Sequence, residues 1–186
     1  MGPTAVAPPS LDPSSAAATA MKSYDKNNDG KLDATELPNV PALKKHLADY
    51  DGDKDGNLTA AEITARISAT RKMNVGLLPL RCTVTMDGKP LEGAKVDFVP
   101  EEFMGGAIQP ASGMTDAQGM ASMGMPLDKL PGGVRGAYAH EGVYKVKISH
   151  PTIKIPPKYN EATTLGHEVV QGVRDQEGVK FDLTSK

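Results

Sequence analysis

The chain has 186 residues and a mass of 19.6 kDa, with 21 Lys and Arg against 23 Asp and Glu, a net charge of -2 and a pI near 6.1. So balanced a charge gives no electrostatic hold on a phosphate backbone, which excludes nucleic acid as the expected partner, and no apolar run approaches the roughly 18 to 20 residues of a membrane-spanning helix. Aromatic residues make up 4% with no Trp, beside 19 Gly and 15 Pro, which predicts turn-rich structure built on small and aliphatic side chains.

In chain order, residues 1–13 hold Pro3, Pro8, Pro9 and Pro13 among Ala, Thr and Ser, and are expected to be a flexible, solvated linker. Residues 14–76 change to Ala, Leu, Lys and Glu at helical spacing, as in Leu43, Leu47 and Tyr50 or Ile63 and Ile67, and predict an all-α unit. After Gly76 the period moves toward two. Arg81–Met86 and Tyr144–Ile148 alternate between turn signals such as Asp87-Gly88, Gly105-Gly106 and Pro131-Gly132-Gly133, so residues 77–186 predict an all-β unit. The expected fold class is therefore α+β in two domains, with a C-terminal sandwich of about seven strands.

The densest chemical signal is Asp25-Lys26-Asn27-Asn28-Asp29-Gly30-Lys31-Leu32-Asp33-Ala34-Thr35-Glu36. Alternate residues of a tight twelve-residue loop converge on one point, so Asp25, Asn27 and Asp29 can offer side-chain oxygens to a hard divalent cation. Gly30 takes the sharp bend, Lys31 contributes its carbonyl, Asp33 acts directly or through water, and Glu36 can supply both carboxylate oxygens. The pattern recurs 26 residues later, with Asp51, Asp53, Asp55, the carbonyl of Asn57, Thr59 and Glu62 in the corresponding places. Such a large oxygen shell favours Ca²⁺ over Mg²⁺, and two calcium sites are expected. Leu32 and Leu58 share the eighth place of the two loops, where they can meet as a short ladder, and Tyr24 and Tyr50 each precede a loop. The net charges of -2 and -3 within the loops predict tighter binding at the second.

These residues resemble a pair of EF-hands, the calmodulin-type helix-loop-helix calcium module, which implies that residues 14–76 form an all-α EF-hand pair. Pro38 and Pro41 follow Glu36 closely, so the first outgoing helix is expected to be short and a wide sensor-type opening is not expected.

In the second half, the segments Thr83–Pro100, Gly113–Ala121, Gly142–Ser149 and Pro156–Thr164 resemble carboxypeptidase-regulatory-like, or transthyretin-like (Ig-like), sandwich modules of secreted bacterial proteins and lipoproteins. The resemblance implies a non-enzymatic scaffold or adhesion module outside the cytoplasm, either periplasmic, secreted or lipoprotein-anchored, with a protein or glycan partner. The related hydroxyisourate hydrolases end in a Tyr-Arg-Gly-Ser tail, whereas this chain ends Phe181-Asp182-Leu183-Thr184-Ser185-Lys186. The histidines at 46, 140, 150 and 167 have no close metal spacing and no nucleophile motif, so no catalytic residue is expected. Cys82 is expected to be a small buried apolar group. Met120, Met123 and Met125, with Met104 and Met114, are expected to fill a core, with Cu(I) carriage as the rival use of their thioethers. A calcium sensor that governs docking of the β half on a protein partner is the main alternative to a calcium-structured scaffold.

Overall fold

The computed structural model describes residues 7–72, 76–132, 134–171 and 178–186. The expected linker is therefore described only from residue 7, and residues 73–75 beside the expected boundary, with Gly133 of the expected Pro131–Gly133 turn, lie outside the described residues.

Helix α1 spans Pro13–Tyr24. Asp12 caps it by accepting the Ser15 backbone N–H at 2.7 Å, and Pro13 supplies a φ already suited to the first turn. Its buried face is Ala16, Ala17, Ala20 and Tyr24, and the three alanines allow close approach to its neighbours. The first loop follows, containing β1 (Lys31–Leu32), and leads into a 3₁₀ turn over Leu37–Asn39. Pro38 and Pro41 break the helical path there, and the next stretch is split at His46 into α2 (Pro41–Lys45) and α3 (Leu47–Tyr50). The second loop carries β2 (Leu58–Thr59) and opens into α4 (Ala60–Arg71), whose Thr59 and Glu62 form a reciprocal capping box.

Two four-stranded sheets complete the chain. The first contains β3 (Leu80–Met86), which pairs in parallel with β10 (Val179–Leu183) and antiparallel with β4 (Lys89–Pro90) and β7 (Met120–Met123). The Asp87-Gly88 turn between β3 and β4 takes φ of 49° and 78°, the left-handed pair that a two-residue hairpin requires. The second sheet runs β6 (Ala111–Met114), β5 (Lys95–Pro100), β8 (Gly142–Ser149), β9 (Leu165–Val169). Strands β6 and β7 flank a turn closed by Asp116 and Gly119 but belong to different sheets, so this turn is a corner between sheets. The inner faces meet where Phe98 of β5 stands 6.1 Å from Phe181 of β10, ring centre to ring centre.

The architecture corrects the expected fold class. Four helices and three sheets are present among the described residues, with a β ladder inside the N-terminal half and two sheets in the other, so the chain is mixed α and β in place of an all-α EF-hand pair followed by one seven-stranded sandwich. One contiguous set of buried residues runs from Ala16 through Ile67 to Leu183. The physical reason is the small apolar area of the helices: faces of Ala, Leu and Ile over so few turns cannot close a core of their own, and they complete it against the sheets. Gly166 of β9 makes the fit possible, since a Cβ there would lie 2.1 Å from the Ala42 backbone nitrogen of α2. No helix among the described residues is long and apolar enough to cross a membrane.

Candidate metal centre

The two twelve-residue loops fold in the same way at the backbone. Asn28 and Lys54, at their fourth places, take φ of 58° and 61°, and Gly30 and Gly56, at their sixth, take 84° and 83°. These left-handed steps curl each loop so that its oxygens face inward. The Gly30 N–H donates to Asp25 Oδ2 at 3.0 Å, and the Gly56 N–H donates to Asp51 Oδ2 at 2.9 Å. Asn27 Oδ1 accepts from the Asp29 N–H at 2.9 Å, Asp53 Oδ1 from the Asp55 N–H at 3.2 Å, and Asp29 and Asp55 from the N–H groups of Lys31 and Asn57 at 3.0 and 2.8 Å.

The twelfth-place carboxylates fold back across the loops. Glu36 Oε1 accepts from the Lys26 N–H at 2.6 Å, while Glu62 Oε1 accepts from the Gly52 N–H at 2.9 Å and its Oε2 from the Thr59 N–H and hydroxyl. Asp33 is turned toward Thr35, whose N–H it accepts at 2.7 Å, and Thr59 caps α4. The loops pair antiparallel through β1 and β2, with Leu32 opposite Leu58 and Lys31 opposite Thr59. Both leucines are fully buried, which joins the loops into one unit.

Three features make the residues present suited to a hard cation. Asp51, Asp53 and Asp55 each bring a carboxylate oxygen within 4.8 Å of the others. Asp25 Oδ1 is buried without a hydrogen-bond partner among the described residues, although it belongs to the first-place carboxylate. Every donor in both sets is oxygen, the ligand type that Ca²⁺ takes. A cation of the protein itself bridges the loops: the Lys31 ammonium lies 2.8 Å from Asp55 Oδ2, and together with the Asn57 N–H groups it holds the exposed Asp55 carboxyl down at about 2.

Beyond the loops, tertiary structure assembles clusters with no signature in residue spacing. The Tyr24 hydroxyl donates to Glu101 Oε2 at 2.7 Å, and the Lys145 ammonium stands 3.2 Å from the same oxygen. The Tyr50 hydroxyl donates to Glu168 Oε1 at 2.8 Å, and Arg66 forks onto the same carboxylate through Nε at 3.2 Å and Nη2 at 2.7 Å. Burial and the neighbouring Glu101 push the Tyr24 hydroxyl up to about 12, and burial raises the Glu101 carboxyl despite Tyr24 and Lys145. His46 and His167 meet with Nε2 and Nδ1 3.4 Å apart, and His46 Nδ1 lies 3.2 Å from Asp49 Oδ2. His46, Asp49 and Glu168 form a second acidic and imidazole group within 4.8 Å. The repeat of Tyr before each loop was a visible signal; its carboxylate partners, 77 and 118 residues away, were not.

Cys82 is buried with its thiol 3.6 Å from the Met123 sulfur, and burial pushes the thiol up to about 12, which leaves it protonated and inert near neutrality. The methionines divide: Met104, Met123 and Met125 are in the core, while Met114 and Met120 face outward. Compared with known proteins, the chain matches no family model, no curated protein and no solved structure.

Proposed function

We propose that the protein is a non-enzymatic calcium-binding protein whose two paired loops, of the EF-hand type, each take one Ca²⁺ and thereby brace a scaffold exposed to a calcium-rich, extracytoplasmic setting. The ligands are Asp25, Asn27, Asp29, the Lys31 carbonyl, Asp33 and Glu36 in the first loop, and Asp51, Asp53, Asp55, the Asn57 carbonyl, Thr59 and Glu62 in the second. The observation that carries this reading is the matched curl of two paired loops, with Asp51, Asp53 and Asp55 brought within 4.8 Å of one another in the second and an oxygen of Asp25 buried without a partner among the described residues in the first.

Each group has a defined task. Gly30 and Gly56 bend the backbone, and their N–H groups fix Oδ2 of the first-place aspartates; Asp25 Oδ1 is left for the ion, and Asp51 Oδ1 exchanges the Asp55 N–H, 3.2 Å away, for it. Glu36 and Glu62 exchange their bonds to backbone N–H groups for coordination, and Ca²⁺ displaces the Lys31 ammonium from Asp55. Binding to the folded chain alone stabilises it by mass action, about 2.7 kcal/mol when free calcium exceeds the dissociation constant a hundredfold.

Calorimetric titration of chelator-treated protein tests the reading. Two bound ions per chain and a raised unfolding midpoint are expected, with one ion lost in Glu36→Gln and one in Glu62→Gln; no calcium-dependent heat and no change in midpoint would overturn it.

A further inference from the structure

The two carboxylates that join the halves of the molecule sit at the ends of the loops. Tyr50 immediately precedes Asp51, the first place of the second loop, and Arg66 lies four residues, about one helical turn, beyond Glu62, its twelfth. Both reach the same carboxylate, Glu168 of β9, and the Arg66 guanidinium also lies 5.7 Å from the centre of the Tyr50 ring. Tyr50 and Glu168 are 4% and 5% exposed, so this junction is desolvated. One fixed group on a sheet therefore holds the chain just before the first ligand and the helix just after the last.

The first loop is held differently. Tyr24 precedes Asp25 and is tied to Glu101 beside Lys145, which fixes the incoming side. Its outgoing side is held where α2 presses Ala42 against Gly166 and Lys45 lies 5.6 Å from the centre of the Phe181 ring.

We infer that Glu168 and Glu101 are positioning residues for calcium: each sets the affinity of the loop whose tyrosine it holds, and Glu168 also stops the two helices of the second loop from swinging apart. The inference rests on the calcium reading of the loops. Coordination draws oxygens from both ends of a twelve-residue segment onto one point, and a segment whose ends are already at that spacing loses less conformational freedom when the ion arrives. Opening of the sensor kind would separate α3 from α4 and strand a buried carboxylate between them. Calcium at this loop thus acts as a staple on a fixed frame.

Amide spectra of the full chain recorded at rising calcium test this, because the Gly30 and Gly56 N–H groups sit on Asp25 and Asp51 and report each loop separately. In Tyr50→Phe, which removes only a hydroxyl, and in Glu168→Gln, calcium affinity read at Gly56 is expected to fall about three- to tenfold, with less than about a twofold change at Gly30. Tyr24→Phe and Glu101→Gln are expected to weaken Gly30 and spare Gly56. Val84→Ala, which trims a fully buried residue of β3 in the other sheet and lowers stability away from the junction, is expected to leave both affinities in place. Binding in the unsubstituted chain with unchanged affinities in the four variants, or equal losses at both loops, or a loss at Gly56 in Val84→Ala as large as in Glu168→Gln, would overturn the positioning role alone. Absence of calcium shifts at Gly30 and Gly56 in the unsubstituted chain would overturn the calcium reading beneath it.

Discussion

The two loops have matched backbones and unmatched surroundings. Both curl through left-handed residues at the fourth and sixth places, yet the second opens into the twelve-residue helix α4 with a full capping box, and the first into a three-residue 3₁₀ turn without a side-chain cap. The second is tied to the sheet by the Tyr50 hydroxyl and the forked Arg66 ion pair, and the first by the Tyr24 hydroxyl, which donates to Glu101 and accepts from the Lys145 ammonium. A repeated motif therefore fixes the geometry inside the loop, while the anchoring of its ends is decided separately by what each copy packs against.

The sharpest way to break this comparison is to remove the two cations in calcium-free protein. Arg66→Ala removes the forked guanidinium from the buried Glu168 and keeps the Tyr50 hydroxyl on it, and a loss of about 3–5 kcal/mol in urea unfolding is expected. Lys145 makes one ion contact to Glu101 where Arg66 makes two bonds to Glu168, and Glu101, whose carboxyl burial already raises, can take up a proton when the ammonium is removed, so Lys145→Ala is expected to cost less, about 1–2 kcal/mol. Equal losses would show that the two anchors are alike.

The matched interior gives a smaller, symmetrical effect. Gly30→Ala and Gly56→Ala place a Cβ where no atom lies within 4 Å, so only the left-handed backbone at φ of 84° and 83° opposes them. Each is expected to lower stability by about 1–2 kcal/mol, and by the same amount; a clear difference between them would mean that the surroundings reach into the loop bend.

The smallest effect is a pH dependence confined to the second anchor. Burial, with the facing His167, holds the His46 imidazole below its ordinary 6.5, and Lys45 acts in the same direction, while Asp49 and Glu168 oppose them. The unfolded chain then binds this proton more tightly than the folded one. The contribution of His46 to stability is full above that ordinary value and declines as pH falls through it toward the folded value. Melting temperatures between pH 8 and 5 should therefore decline less steeply in His46→Gln than in the unsubstituted chain. Glu101, which burial raises, lies at the other anchor and is common to both proteins, so it cancels in the difference. An unchanged slope would show that the histidine pair carries no linked proton.

How much was legible followed the range of the interaction. The bend at Gly30 and Gly56, the Leu32 and Leu58 pairing, the short outgoing segment after Glu36 and the Asp87-Gly88 hairpin all arise from residues a few positions apart or from a repeat in register. The expectation of an all-α unit followed by a single sandwich failed because periodicity within each half does not show what its elements pack against. Ala16, Ala17 and Ala20 look like a helical stripe, but their small area fills a core only where another layer is supplied.

The sequence by itself determined the local curl of both loops and the matched places of their oxygen-bearing side chains, because residue type and backbone freedom within twelve residues are sufficient for them. Only the tertiary structure decided that Tyr24 meets Glu101 and Lys145, that Tyr50 and Arg66 share Glu168, and that His46 finds His167 across 121 positions. Buried polar groups must find partners wherever folding brings them, and that demand leaves no spacing along the chain to read.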